Sequence, residues 1–515
     1  MPVPEFDFDR FRLRSFVGHL LALGEVQVHP DPVALADLSR LIDSTPKASL
    51  FKAVGPERHE VVAAVIGSRA RLSAAFHVDP ENLVREYARR LATPQSIVEI
   101  KSKDAPVHQV ILQGDQVDLA VLPFHLQHEY DGGPYISSAI DYSVDPATGK
   151  TNVGCRRLML RGRDTLRANL TQPSDLKQIY KECVKRGERL PVSFAIGSHP
   201  VDFVAATLRL PGDEFSLVAA MRGEPLPMVR GITNGVLAPA DVEMVIEGYF
   251  DEQGYRELEG PYGEFWGFYG PVHIDPVFHA TAITMRKDAL HQSMLHGGRQ
   301  HSRMEAGNMS ALHSEALAWR ALKAANIEPA AVYAVRSVVS VQHLRVALRR
   351  GVPGQARTAI SALFGIHGAK HVVVVDDDVD VTSDTEAEWA MCTRFRPERD
   401  LVISSGFPAF YADPTANEEG SVTKIGFDLT APYPEKDTVE NRRPRTPLLS
   451  RAPARYRSAR QALESEGCMH FLEIMESLGS VDGREIAIQL DALREEGALD
   501  RTENGQWAMK ARDRS

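Results

Sequence analysis

Residues 135–163 read YISSAIDYSVDPATGKTNVGCRRLMLRGR. Two runs of β-forming residues flank a turn segment that carries Asp145, Pro146 and Gly149, residues that interrupt regular structure. APVHQVILQ before them and EFSLVAAM after them have the same texture. Together they predict a largely β domain over residues 106–310. RLPVSFAIGSHPVDFVAATL, from Arg189, adds a strand, a turn and a helix, and further strands are expected as far as Gly235.

Outward from this domain the pattern changes. Residues 9–92 read as mainly helical: DPVALADLSRLID opens on a cap and a proline, and ENLVREYARRLA has apolar residues at helical spacing. This predicts an N-terminal α/β part, residues 1–105. After the Ala-rich helical stretch ALHSEALAWRALKAAN, the runs AVYAVRSVVSVQHLRVALRR, GQARTAISALFGI and AKHVVVVDDDVDV alternate strand, helix and strand. They define a C-terminal α/β domain, residues 311–450, with Asp376, Asp377 and Asp378 as solvated strand-end residues. Ser383 and Glu386 have capping-box spacing. A Pro- and Arg-rich linker leads to residues 451–515, where helix, turn, helix and a short hairpin follow the order of a winged helix. The fold class is α/β, multidomain.

The chain has 515 residues, 25% of them charged and 43% hydrophobic, with a formal net charge of -10. That balance argues against a chain-wide surface for nucleic acid or anionic lipid. The opening twenty residues lack a signal-peptide core, and no apolar run reaches membrane-span length, so a cytoplasmic location with no membrane partner is expected. Cys155, Cys183, Cys392 and Cys468 form no C-x-x-C pair, which favours reduced structural thiols.

Four segments carry candidate chemistry. ELEGPYGEFWGFYG, residues 257–270, places Glu259 and Glu264 around Gly260, Pro261 and Gly263, a backbone of restricted and permitted angles that fixes the geometry between two acids. One acid can then be ion-paired while the other stays partly desolvated and ready to give a proton; an acidic hairpin is the plain alternative. TNVGCRRLMLRGR supplies Asn152, Cys155, Arg156 and Arg157. Successive strand side chains face opposite ways, so only one of the two arginines enters a given pocket, where its guanidinium can hold a carboxylate. DEFSLVAAMRG, read as a strand, carries Glu214, and an amide oxygen with a carboxylate, Asn152 with Glu214, suits a hard divalent cation. LHGGRQHSRMEAGN carries His296, Arg299, His301 and Arg303 on a loop facing a substrate, without a zinc spacing.

The order of these motifs, from Asn152–Arg157 through Glu214 and E-G-P-Y-G-E to H-V-V-V-V-D-D-D-V-D, resembles the UbiD-type decarboxylases over roughly residues 95–445. The resemblance implies a central split β-barrel that binds prenylated FMN, with Mn²⁺ or another divalent cation and K⁺. It implies reversible decarboxylation of an aromatic or heteroaromatic carboxylic acid. Asn152 and Glu214 would hold the metal, with Asp175 where many members carry a histidine. Arg157 would pair with Glu259 beside the flavin, Glu264 would carry the proton, Lys424 would reach the cofactor phosphate, and Cys155 and Arg156 would line the cofactor. A flavin prenyltransferase would supply the cofactor, and the assembly would be a homodimer or homohexamer. The chemistry demands such a group: CO₂ loss from an sp² carbon leaves a carbanion for which no side chain is an electron sink. Two rivals follow from the residues alone, a metal-assisted hydrolase using Glu264 and a regulator binding DNA through the C-terminal extension, whose acidic helices weigh against it.

Overall fold

The structure is a computed structural model that describes residues 5–294, 296–297, 304–336, 342–349, 351–410, 413–431, 439 and 442–510. Residues 1–387 and 396–428 form one unit, residues 388–395 and 429–515 a second.

The centre of the first unit is a closed six-stranded antiparallel barrel. Its strands run in the order Met244–Phe250, Leu190–Ile196, Tyr135–Val144, Thr151–Leu160, Thr165–Ala168 and Val277–Met285, and the last pairs back onto the first. Val110–Gln113 adds to the outside of Val277–Met285. Leu158, Val192, Phe194, Ile246 and Phe278 fill the barrel. A register shift at Glu247/Gly248 bends the closing strand, and a Cβ at Gly248 would lie 2.0 Å from the carbonyl oxygen of His279, so only glycine fits there.

Around the barrel lies a second core that joins the N-terminal helices to two helices inserted between barrel strands, Pro200–Ala206 and Glu214–Arg222. Leu72, Phe76, Tyr87, Phe203, Phe215 and Met221 belong to it. Arg222, buried, bonds both Asp202 and Asp241 and ties the inserted helices together.

DEFSLVAAMRG is therefore a helix where a strand was expected. Asp213 caps it by accepting from the Ser216 N–H, and Gly223 ends it in the left-handed conformation. The N-terminal part also departs from a mainly helical reading. Val26–His29, Ala48–Val54, His59–Ala63 and His291–Ser293 make a four-stranded sheet, and Ala48–Val54 is buried on both faces, so it shows no strand alternation.

Beyond the twenty-residue helix Glu305–Ala324 comes a five-stranded sheet in the order Pro329–Ala334, His343–Leu348, His371–Asp376, Ser421–Asp428, Leu401–Pro408. Its centre is the apolar run Val372–Val375, parallel to both neighbours. Ser383 does cap the next helix, accepting from the Glu386 N–H, but the Glu386 carboxylate reaches the Asp380 N–H. In the second unit the helices Ala459–Glu466, Phe471–Leu478 and Arg484–Glu495 precede the hairpin Leu499–Arg501/Trp507–Met509. Leu463, Ile474, Ile486, Leu490 and Leu493 make its core. Among the described residues no helix is long and apolar enough to cross a membrane.

Candidate active site

The motif ELEGPYGEFWGFYG folds as a two-stranded ribbon in two stages. Glu257–Glu259 pairs with His273–Asp275, and Tyr262–Gly263 with Tyr269–Gly270. Between the stages the Gly260–Pro261 peptide is cis and Gly260 has φ 81°. At Gly263 a Cβ would fall 2.4 Å from the His128 ring, so the ribbon seats against that imidazole only because the residue is glycine. The Gly263 N–H donates to Asp131, and the same carboxylate holds His128 Nδ1 at 3.1 Å.

Arg157 projects from its strand onto this ribbon. Its Nε and one terminal nitrogen donate to the two oxygens of Glu259 at 2.9 and 2.8 Å, and its other terminal nitrogen bonds Glu264. The guanidinium lies 4.4 Å from the centre of the Tyr262 ring. Burial works against the charge on Arg157, but Glu259 and Glu264 outweigh it and raise its pKa. Glu259 is fully buried and also accepts from Tyr135 Oη at 3.0 Å. Glu264 keeps 21% of its side chain exposed. The pair is thus unequal, one acid locked and one accessible.

Arg156 leaves the strand on the other face, as alternation requires. Its Nε lies 2.9 Å from Asp141, the buried acid to which Asn152 also donates. Burial pushes the Asp141 carboxyl up to about 6, against the pull of Arg156 and Asn152. Glu214, in the first turn of its helix, accepts from the Val153 N–H at 2.5 Å. This places its carboxylate one residue from Asn152. Burial, with added repulsion from Asp175 and Asp141, lifts Glu214 to about 7. Asp175 is the first residue of the Asp175–Arg186 helix, whose cap is Ser174, and it pairs with Lys150 at 2.6 Å. Asp141, Asp175 and Glu214 are thus within electrostatic range of one another around Asn152, with Lys150 and Arg156 as bonded cations, but their ligand atoms are not drawn together within 4.8 Å. The donor types, carboxylates and an amide oxygen, are those a divalent cation takes, and such an ion would draw them together and neutralise the surplus charge.

Cys155 packs into the apolar layer beside Phe203, and burial pushes its thiol up to about 12, so it stays protonated. Lys424 was expected to reach the cofactor phosphate. It is buried in the C-terminal sheet and donates to the carbonyls of Phe364 and Ile366 at 2.7 and 2.8 Å. Its ammonium completes the end of the Gln355–Phe364 helix rather than reaching out for a phosphate. His296 donates from Nε2 to the Ser137 carbonyl at 3.1 Å and stands edge-on to Tyr262. Burial lowers its pKa. Arg299, His301 and Arg303 lie outside the described residues.

Sequence reading missed Asp141 and two half-buried His–Asp pairs, His128 with Asp131 and His273 with Asp275. The only local signals were the spacings H-x-x-D and H-x-D. His128 and His296 both line a cavity of about 180 Å³ with His125, Gln127, Ser293 and Arg40. Glu259, His273 and Asp275 hold ligand-type atoms within 4.8 Å of one another, but the Arg157 fork already supplies the positive charge on Glu259.

Comparison with known proteins identifies the family. Residues 98–299 match the UbiD family's 3-octaprenyl-4-hydroxybenzoate carboxy-lyase Rift-related domain, and residues 308–429 match the C-terminal domain. A relative from Methanosarcina mazei, named anhydromevalonate phosphate decarboxylase, is 31% identical over 83% of this chain and 98% of its own. The UbiD-class enzyme HmfF from Pelotomaculum thermopropionicum, solved with FMN, is 29% identical with a TM-score of 0.78, covering 85% of this chain and 97% of that one. A second HmfF structure, an evolved dimeric form holding prenylated FMN, has a TM-score of 0.74 at 29% identity, covering 83% of this chain and 97% of that one. Vanillic acid decarboxylase of Sedimentibacter hydroxybenzoicus, 24% identical with a TM-score of 0.75 over 85% of this chain and 95% of that one, shares the fold. The chain belongs to the UbiD family of decarboxylases.

Proposed function

We infer that this protein catalyses the reversible, non-oxidative decarboxylation of an aromatic or heteroaromatic carboxylic acid with prenylated FMN. The observation that carries the reading is the single guanidinium of Arg157 shared between a locked Glu259 and an accessible Glu264. When bound, prenylated FMN supplies the electron sink that the side chains lack. Asn152 and Glu214, with Asp175, would hold Mn²⁺ or another divalent cation, whose charge would anchor the flavin phosphate; K⁺ is the further ion the family implies. Arg157 orients the substrate carboxylate by charge. Glu264 gives its proton to the carbon that loses CO₂ and takes it back in the reverse direction. Each forward turnover consumes one proton, so Glu264 must be recharged from solvent, which its partial exposure allows.

A flavin prenyltransferase would supply the cofactor, and a cytoplasmic homodimer or homohexamer is the proposed setting. A second substrate, anhydromevalonate phosphate, is favoured by the name of the Methanosarcina mazei relative, matched over nearly its whole length. Enzyme reconstituted with prenylated FMN and Mn²⁺ should release CO₂ from a member of a panel of aryl and heteroaryl acids, or from anhydromevalonate phosphate. Activity with Mn²⁺ alone, without flavin, would overturn the flavin-dependent reading.

A further inference from the structure

Behind the Arg157–Glu259 pair, the facing strand of the ribbon brings up His273 and Asp275. Asp275 is fully buried; one of its oxygens accepts from the Leu170 N–H at 2.8 Å and the other lies 2.9 Å from His273 Nδ1. A buried carboxylate at that distance calls for a proton on Nδ1, and in the neutral ring this leaves the lone pair on Nε2. Two N–H donors face that lone pair, Arg157 at 3.5 Å and Asn169 Nδ2 at 3.4 Å. Glu259 lies 3.4 Å from the same nitrogen. Nε2 therefore sits between a guanidinium that wants its lone pair and a carboxylate that would want a proton there.

We propose that His273, fixed in its tautomer by Asp275, is a positioning residue for the decarboxylase. Its neutral Nε2 takes the outward N–H of the same Arg157 nitrogen that holds Glu259, so the guanidinium stays in the ribbon plane with its remaining nitrogen on Glu264. These contacts are long, so their value is orientation rather than bond strength. The charged and titratable groups that face the ring are Glu259, Arg157 and Asp275, with Glu264 and Tyr135 on the far side of the pair and Lys177 and Tyr255 in electrostatic range of Asp275. The inference rests on the decarboxylase reading for its kinetic consequence and on the ribbon alone for its tautomer.

The test uses the reconstituted holoenzyme. His273→Ala should lower kcat about tenfold to a hundredfold, with KM and flavin absorption unchanged. His273→Gln, whose amide oxygen can occupy the Nε2 position, should recover most of that loss. Asp275→Asn keeps the acceptor for Leu170 but presents an NH₂ to Nδ1, forcing the proton to Nε2; it should lower kcat as the alanine variant does and move the acidic limb of the pH profile. Nitrogen NMR of labelled histidine should show the Nδ1–H tautomer in the wild type and Nε2–H in Asp275→Asn. A wild-type Nε2–H tautomer, or an unchanged kcat and pH profile in His273→Ala, would overturn the proposal. A wild type inactive on every acid removes the decarboxylase reading instead, and the tautomer still judges the geometry.

Discussion

Arg157 holds Glu259 through two parallel bonds of 2.9 and 2.8 Å, although the residues stand 102 positions apart in the chain. A fully buried carboxylate survives only with its charge answered in this way. The fork commits two guanidinium nitrogens and leaves the third for Glu264, five residues further along the ribbon. The two acids of one short motif thereby differ: Glu259 sets where the arginine sits, and Glu264 is left accessible for the proton transfer proposed above.

Glu264→Gln should fold, keep its flavin spectrum and lose about 10²–10⁴-fold in kcat, the usual worth of a positioned general acid. Steady-state CO₂ release with the loaded enzyme measures it, and unchanged turnover would remove Glu264 from the proton step. Glu259→Gln behaves differently. It leaves a buried guanidinium with half its fork, so thermal stability should fall together with activity.

Arg157→Lys separates charge from shape. The ammonium keeps the positive charge near Glu259 but cannot bond both oxygens of one acid and reach the other as a planar fork does. A stable protein with kcat reduced about 10²-fold is expected, the scale on which small misplacements act. Arg157→Ala removes the partner of a buried charge and should cost about 3–5 kcal/mol of stability in a denaturant melt.

The barrel strand Thr151–Leu160 and the C-terminal strand His371–Asp376 were legible because their turn residues and β-forming runs agree. The Glu214–Arg222 helix was not. Its apolar run, Phe215 to Met221 with Ala219 and Ala220, fits either period, and the informative residues were the caps, Asp213 and Gly223. Ala48–Val54 escaped for the opposite reason, since a strand buried on both faces has no polar beat. The geometry around Arg157 depends on pairings more than a hundred residues apart, so spacing left Glu259 and Glu264 open and the order of distant motifs supplied the expectation. His273 needed the ribbon register, which places it directly across from Glu259.

Glu214 gives the proposed metal site a pH signature. Burial first, then Asp175 and Asp141, raise its folded pKa from 4.5 to about 7. Between those values the folded, metal-free protein binds more protons than the unfolded chain, so the stability this group contributes is present below about pH 4.5 and declines as pH rises towards 7. A divalent cation requires the deprotonated carboxylate and should reverse that decline. The melting temperature gained on adding Mn²⁺ should therefore be larger above pH 7 than near pH 5, and Glu214→Gln should abolish most of the difference. Equal gains at both pH values would place the cation elsewhere.

Lys424 offers a test between a structural and a cofactor role. In Lys424→Met the chain length and apolar packing remain, but the carbonyls of Phe364 and Ile366 lose their donor. Each unsatisfied buried acceptor costs about 1–3 kcal/mol, so the melting temperature should drop while flavin retention and KM stay at wild-type values. Burial lowers the Lys424 pKa from 10.5 to about 8. Across that interval the unfolded chain holds the extra proton, so the wild type should gain stability as pH rises through it, and the methionine variant should lack that gain. Loss of flavin at unchanged stability would return Lys424 to the phosphate.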